Sequence, residues 1–225
     1  MPRKAMSEIG ASGRRPNASR YPCAPHATPV DATACSGYQA VMPVQIALLR
    51  GINVGGKNKV SMAELRELLG ALGFTNARSL LNSGNVVFES ERLADAELER
   101  VLQVETEKRF RISVVYAVRT VKEWDRIIVR NPFPNEAKRD PSHLLVMCLK
   151  ESAEPKEVKA LEASIVGPEN VRADGRQLYL TYPAGIGTSK LTNTLIERKL
   201  GTQGTARNWN TVLKLAELAR KDAMD

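Results

Sequence analysis

The chain has 225 residues, which allows either one large domain or two small ones. Its 33 Lys and Arg residues outnumber its 25 Asp and Glu residues, and the formal net charge of +8 favours anionic partners. No apolar run approaches the roughly 18–20 residues that a membrane-spanning helix needs. Three cysteines and two histidines leave little material for a disulfide scaffold or an all-protein zinc site.

Residues 1–41 differ in composition from the rest of the chain. They are rich in Pro, Ala, Ser, Gly, Thr and Arg, carry five basic and two acidic residues, and have no apolar periodicity. Such a segment cannot bury enough surface to offset the entropy of ordering, so we expect it to be disordered. Two interpretations stay open: a genuine flexible extension, or a folded protein that starts at Met42.

From Met42 onwards the hydrophobic period alternates between strand and helix. The predicted elements of residues 42–119 are a strand at Ile46–Leu49, a helix from Met62 capped by Ser61, a hairpin of Ala77–Leu81 and Val86–Phe88, a helix at Leu93–Phe110 and a strand at Ile112–Val118. This β-α-β-β-α-β order predicts a ferredoxin-like unit.

The same order recurs after a linking helix and a Pro-rich loop in residues 120–142. The predicted elements of residues 143–225 are strands at Leu144–Leu149, Val171–Ala173, Leu178–Tyr182 and Thr205–Arg207, with helices at Glu154–Ile165, Ser189–Leu200 and Thr211–Arg220. We therefore predict an α+β fold of two tandem ferredoxin-like units with antiparallel sheets, plus a C-terminal helix. One face of the second hairpin, bearing Gln177, Tyr179 and Thr181, is expected to be less apolar and available.

The segment after the first strand combines glycines with lysines just before a helix. Its candidate ligand-binding residues are Arg50, Asn53, Gly55, Gly56, Lys57, Asn58 and Lys59. Glycines allow close backbone approach and a helix N-terminus offers free N–H groups, so a phosphate could bind here. A nucleotide-hydrolysing P-loop is disfavoured because Asn58 stands where Ser or Thr would hold magnesium. A non-catalytic phosphate site and a purely structural turn both stay open.

A second glycine-rich loop precedes the helix predicted at Ser189. Its candidate ligand-binding residues are Gly187, Ser189 and Lys190. Lys190 would lie in the first turn of the helix, where the helix dipole makes a cation unfavourable unless an anion is near. The alternative is a glycine turn followed by a capped helix with a solvated lysine. Ser83 and Asn85, in the turn of the first hairpin, are candidates of the same kind, with a turn role as the alternative.

The third cluster is Arg207, Asn208 and Trp209. An indole can stack on a base, a guanidinium can pair with a phosphate, and an amide can bind polar base edges, as in proteins that bind single-stranded nucleic acid. The alternatives are that Trp209 anchors the core and that Asn210 or Thr211 caps the last helix.

Four blocks of this sequence resemble a widespread family of small bacterial proteins catalogued as a domain of unknown function. The blocks are Ala47–Asn58 (ALLRGINVGGKN), Ser83–Phe88 (SGNVVF), Gly185–Thr192 (GIGTSKLT) and Arg207–Thr211 (RNWNT). The resemblance covers residues 43–219 and implies a two-part fold of ferredoxin-like units and a cytoplasmic location, but no established activity. Thr188 departs from the Arg that is usual in the family, which weakens the second loop as an anion site. Family members tend to begin near Met42.

No catalytic set can be assembled from the sequence. His26 lies in the first segment and His143 stands alone, so His143 is interpreted as structural, and no metal or cofactor is predicted. We predict a cytoplasmic, non-catalytic binder of RNA or single-stranded nucleic acid. The alternatives are a small phosphorylated ligand or nucleotide in the cleft between the two units, where an enzymatic role stays open, and a protein-interaction module.

Overall fold

The computed structural model describes residues 42–56, 58–91 and 96–221. Lys57, the predicted disordered segment 1–41 and the predicted helix start at Leu93 lie outside the described residues. Within those ranges, no helix combines the length and the apolar character required to cross a membrane.

The first half of the fold is a four-stranded antiparallel sheet with two helices on one face. Its elements are β1 (Val44–Leu49), α1 (Met62–Ala71), β2 (Thr75–Ser79), β3 (Asn85–Glu89), α2 (Ala96–Phe110) and β4 (Tyr116–Thr120), and the strand order is β2-β3-β1-β4. The predicted cap of α1 is present, because the Ser61 side chain accepts a hydrogen bond from the Glu64 backbone N–H.

The second half repeats this arrangement after two connecting helices. Its elements are α3 (Val121–Val129), α4 (Pro134–Arg139), β5 (Leu144–Leu149), α5 (Pro155–Glu162), β6 (Asn170–Asp174), β7 (Gln177–Thr181), α6 (Asn193–Leu200), β8 (Gly204–Asn208) and α7 (Trp209–Arg220). The strand order is β6-β7-β5-β8, again antiparallel. The α+β class with two antiparallel sheets is therefore confirmed.

Several predicted elements differ from the structure, among them the first predicted hairpin strand, which is Thr75–Ser79 and not Ala77–Leu81, and three other differences have a local reason. Strand β4 begins at Tyr116 and not at Ile112, because Tyr116 pairs with the last residue of β1 and earlier residues have no strand beside them. Helix α4 forms inside the predicted loop, where Pro134 at its first position costs no hydrogen bond. Helix α6 begins at Asn193, because Thr192 caps it by accepting from the Leu195 backbone N–H.

Three apolar clusters form the core. One lies between the first sheet and helices α1 and α2, and another between the second sheet and helices α5 and α6. The third joins the opposite faces of both sheets to α3 and α7. Successive residues of β1 and β5 alternate between clusters, which explains why both strands are apolar at nearly every position.

The sheet face that was expected to be available is covered. Tyr179 is 1% exposed and lies in the central cluster, where its hydroxyl donates to the Ile127 carbonyl of α3 at 2.8 Å. On the same cluster, the Trp124 Nε1–H of α3 donates to the Val212 carbonyl of α7 at 3.0 Å. The prediction of a free face is wrong because it treated each sheet alone, whereas α3 and α7 close the second face of both.

The two halves exchange equivalent arginine contacts. Arg207, next to last in β8, donates to the carbonyl of Leu49 at the end of β1. Arg119, next to last in β4, donates to the carbonyl of Leu149 at the end of β5. Each arginine also reaches the hairpin of the opposite half, at Gly84 and Arg176 respectively. The halves are thus related by an approximate internal repeat that also pairs their polar contacts.

A second pair of equivalent contacts crosses the same boundary. Arg50 follows β1 and forms an ion pair of 2.7 Å with Glu197 of α6. Lys150 follows β5 and pairs with Glu99 of α2, whose other carboxylate oxygen accepts from the Val118 backbone N–H at 2.9 Å. These ion pairs tie the segment after each central strand to a helix of the other half.

Candidate functional site

The connection between β1 and α1, residues 50–61, is the Gly–Lys loop. It takes 12 residues, whereas the equivalent connection between β5 and α5, residues 150–154, takes five. Strand-to-helix connections in α/β units need only about 2–6 residues. The Gly–Lys loop is therefore longer than its crossing requires.

The backbone of this loop and of the neighbouring hairpin is unusually rich in left-handed residues. They are Gly51, Asn53, Gly55, Gly56, Asn58, Leu81 and Gly84. Leu81, at φ +60°, is the exceptional one, because a bulky side chain rarely adopts this conformation. Such strain persists only where surrounding contacts hold it, and it is concentrated at functional sites.

Asn53 holds the loop closed through its side chain. Its Nδ2 donates to the carbonyls of Val60 at 2.9 Å and Asn82 at 2.7 Å, and its Oδ1 accepts from the Val60 backbone N–H at 2.9 Å. Asn58 adds a hydrogen bond of 3.2 Å to the Gly51 carbonyl. Both asparagine side chains therefore bond within the loop, and Asn53 also fixes the loop to the hairpin, instead of presenting their amides to a ligand.

The turn of the first hairpin is fixed in the same way. Asn85 is fully buried, and its Nδ2 donates to the Leu80 carbonyl at 3.0 Å and the Ser83 hydroxyl at 2.9 Å. A Cβ on Gly84 would lie 2.7 Å from the Leu49 side chain and 2.8 Å from the Ile52 side chain. Only glycine fits there, so the hairpin packs directly against the start of the Gly–Lys loop.

Arg207 supports this junction from the second half. Its guanidinium donates to the carbonyls of Leu49 at 2.9 Å, Ser83 at 3.0 Å and Gly84 at 3.2 Å, and its Nε–H donates to Asn85 Oδ1. Burial lowers the pKa of Arg207 to about 10, since the carbonyl acceptors bring no negative charge to offset the lost hydration. The guanidinium is thus used internally, and its placement does not favour the predicted pairing with a ligand phosphate.

The other two members of the third cluster are structural as well. Trp209 is 5% exposed and packs in the central cluster, so no face of its indole is left for a base. The Asn208 side chain caps α7 by accepting from the Thr211 backbone N–H at 3.0 Å. The alternative interpretation of Trp209 as a core anchor therefore fits its placement, and the cap lies two residues earlier than Asn210.

A cleft of about 540 Å³ lies between the Gly–Lys loop, the start of α1 and the first hairpin. The cleft is lined by Asn53, Gly56, Lys59, Val60, Ser61, Met62 and Asn82. Lys59 is exposed in this lining, Gly55 is exposed beside it, and Ser61 caps the N-terminus of α1. An exposed ammonium, accessible glycine backbone and a helix N-terminus are complementary to a phosphate group.

The second glycine-rich loop forms a separate region. Ser189 accepts from the Leu191 backbone N–H at 3.0 Å and donates to Glu169, while Lys190 is exposed. Because α6 begins at Asn193, Lys190 precedes the helix instead of lying in its first turn. No hydrogen bond or ion pair between described residues joins this loop to the Gly–Lys loop. Gly187, Ser189 and Lys190 thus do not belong to the same cleft.

His143 lies near the second loop, in a cavity of about 300 Å³. Its Nδ1 is 2.6 Å from Asp140 Oδ2, and this hydrogen bond lowers the pKa of the Asp140 carboxyl. In the part of the chain that the structure describes, no three His, Cys, Asp or Glu side chains gather as a metal site.

Sequence reasoning missed the contacts that join the halves. One sequence pattern could have indicated these contacts. Arg119 directly precedes Thr120, which caps α3, and Arg207 directly precedes Asn208, which caps α7. Aligning these two strand ends would have suggested an equivalent role for both arginines. The partners of Arg50 and Lys150 carry no local signal, since each lies in the opposite half of the chain.

The fold and the cleft together define an α+β protein of two four-stranded antiparallel sheets with one long, fixed strand-to-helix loop. The model of a family described as "Protein of unknown function (DUF1697)" matches residues 42–179. The chain belongs to this family.

One solved structure of similar fold is that of the conserved bacterial protein SP0830 from Streptococcus pneumoniae. It superimposes with a TM-score of 0.63 at 24% sequence identity, over 79% of this chain and 99% of that chain. At this identity the likeness shows the fold alone. Among curated proteins, none matches this chain.

Proposed function

We propose that this protein is a non-catalytic binder of a small phosphate-bearing ligand, with the phosphate held at the Gly–Lys loop. Lys59 would supply the charge, the exposed backbone at Gly55 and Gly56 would approach the ligand, and α1 would direct its N-terminus to the phosphate. Lys57, outside the described residues, is the second lysine of this segment by sequence. We also infer that the sheets form two tandem ferredoxin-like units, residues 42–119 and 143–225.

The observation that carries the proposal is the internal comparison between the two equivalent connections. The second half makes the same strand-to-helix crossing with five residues, so the crossing itself does not require the seven extra residues of the Gly–Lys loop. The side chain of Asn53 nevertheless holds the loop in place through hydrogen bonds to Val60 and Asn82. Arg207 in turn holds the hairpin against which the loop packs, by donating to the Ser83 carbonyl. A loop that is longer than its connection needs, and that is held in a fixed conformation beside a strained hairpin residue, Leu81, is typical of a binding site.

A small ligand fits the geometry better than single-stranded nucleic acid, the partner that the sequence favoured. A strand of nucleic acid is bound by exposed aromatic side chains and a run of cations along a groove. The indole of Trp209 is buried, the guanidinium of Arg207 is used internally, and the second faces of both sheets are covered. Among the described residues, Lys59 is the lysine that lines the cleft, which suits one phosphate group.

Titration calorimetry on the full-length chain tests this function. We expect adenosine monophosphate to bind and adenosine to bind at least tenfold more weakly, because the phosphate supplies the main contact. Lys59→Ala removes one charge-assisted contact and is expected to weaken binding about tenfold, or about 1.4 kcal/mol. Lys190→Ala is the matched control, since it removes an exposed lysine from the other glycine-rich loop.

A twelve-residue thymidine oligonucleotide separates the two classes of partner. Binding of the oligonucleotide with a steep negative dependence on salt, and no preference for the monophosphate over adenosine, would overturn the proposal in favour of nucleic acid. Equal losses in Lys59→Ala and Lys190→Ala would remove the Gly–Lys loop as the site.

A further inference from the structure

We propose a second anion site, the arginine cleft, which binds a small dianion such as a phosphate monoester. It is a cavity of about 240 Å³ where α3, the helix that directly follows β4, meets the β6–β7 hairpin. Its lining residues are Arg119, Glu123, Arg126, Arg130, Ser152 and Asp174–Gln177. It shares no lining residue with the cleft of the Gly–Lys loop.

The cleft holds more positive charge than its own carboxylates neutralise. Four guanidinium groups line it together with two carboxylates, Glu123 and Asp174. Both carboxylates are already engaged, Glu123 by Arg176 at 2.9 Å and Asp174 by Arg130 at 3.1 Å. Burial raises the pKa of Glu123, but hydrogen bonds from Thr120 and the charges of Arg176 and Arg119 outweigh it, so the net shift is downwards and Glu123 is ionised.

The surplus charge belongs to two arginines in different settings. Arg119 is 1% exposed, and its Nη groups donate to the carbonyls of Val118, Leu149 and Arg176. The buried Glu99 carboxylate lies 3.8 Å from Arg119 but also pairs with Lys150, so these three groups together leave one fixed positive charge behind the cavity. Arg126 is exposed and makes no ion pair or side-chain hydrogen bond with any other described residue. It is one turn before Arg130, the residue at the C-terminal cap of α3, and residues four apart share a helix face, so both can contact one ligand.

The internal repeat shows that this cluster is not needed for the fold. The equivalent contact in the repeat is that of α7 with the first hairpin, where Arg207 donates to Gly84 as Arg119 donates to Arg176. The positions of Glu123, Arg126 and Arg130, counted from the residue that caps each helix, are taken there by Thr211, Lys214 and Leu218, and that of Arg176 is taken by Gly84. The contact of α7 with the first hairpin therefore has a single cation, Lys214, at these four positions, whereas the contact of α3 with the β6–β7 hairpin has three arginines.

The size and the donors of the cleft define the ligand class. Pockets for drug-sized ligands occupy about 300–1,000 Å³, so a volume of about 240 Å³ suits a phosphate group with a small organic part. Guanidinium groups bind phosphate oxygens in a bidentate manner, and the Ser152 hydroxyl lines the same cavity. The two surplus positive charges match a dianion.

Arginine Nε–Hε NMR signals of the ¹⁵N-labelled full chain test this site separately from the Gly–Lys loop. We expect inorganic phosphate to shift the signals of Arg126, Arg130 and Arg176 saturably, while chloride at matched ionic strength does not. Arg126→Ala should weaken this phosphate response about tenfold. Lys214→Ala removes the equivalent cation of α7, and Lys59→Ala changes only the other site, so both should leave the response unchanged.

Three results would overturn the proposal. One is a wild-type response that is the same in phosphate and chloride, and another is equal weakening by Arg126→Ala and Lys214→Ala. The third is loss of the arginine response in Lys59→Ala, which would assign the phosphate to the Gly–Lys loop. If the Gly–Lys loop fails to bind adenosine monophosphate, the predicted shifts of these three arginines are unaffected.

Discussion

Replacing Arg207 by alanine tests whether this residue is structural. Two of its acceptors, the Ser83 carbonyl and Asn85 Oδ1, have no other donor among the described residues. Hydrogen bonds to a charged group contribute about 1.5–3 kcal/mol each. Because the guanidinium is only partly buried, we take the lower value twice and expect Arg207→Ala to lower the free energy of unfolding by about 3 kcal/mol.

Urea denaturation followed by circular dichroism measures this loss. Arg198→Ala is the matched control, because Arg198 is exposed on α6 and makes no ion pair with described residues, and its loss should stay within about 0.5 kcal/mol. Arg207→Lys keeps the charge but cannot reach acceptors on β1, the hairpin and β3 at once, so it should restore at most half of the loss. A loss below about 1 kcal/mol in Arg207→Ala would refute the structural role.

Two further predictions concern packing and pH. Gly84→Ala should lower the free energy of unfolding by about 3 kcal/mol, because the added Cβ collides with Leu49. Gly175→Ala is the control: it has φ +60° with open space around it, and should lower the free energy of unfolding by only about 1–2 kcal/mol. Equal losses of the two variants in urea denaturation would contradict the collision. Three tyrosines have a pKa raised by burial: Tyr116, Tyr179 and Tyr182, the last to about 12. Unfolded tyrosine deprotonates near pH 10, so stability is fully present below pH 10 and should fall by up to about 4 kcal/mol per pH unit above it. Tyr116→Phe should reduce that slope by a third, and a stability that is flat from pH 10 to 11.5 would contradict the burial of these hydroxyls.

The element order could be read from the sequence because it depends on local periodicity. Strand β5 was predicted at its observed bounds, since an apolar run from Leu144 to Leu149 needs cover on both faces. The glycine-rich character of the Gly–Lys loop was also visible, because glycine and asparagine mark left-handed backbone locally.

The roles of individual polar residues could not be read in the same way. Arg207 donates to Ser83, which is 124 residues earlier in the chain, and Arg50 pairs with Glu197 across 147 residues. Whether an arginine or a tryptophan is exposed depends on which distant element packs over it, and no local pattern records this. The covered face of Tyr179 was missed for the same reason, because α3 lies outside the hairpin that the pattern described.

Backbone amide NMR at the Gly–Lys loop tests the central claim most directly. On addition of adenosine monophosphate to the full-length ¹⁵N-labelled chain, we predict saturable shifts of the Gly55 and Gly56 amides, with the dissociation constant found by calorimetry. Adenosine should not produce these shifts, and Lys59→Ala should require about tenfold more ligand. Unchanged Gly55 and Gly56 amides at saturating ligand, or shifts confined to Gly185 and Gly187, would contradict phosphate binding at this loop.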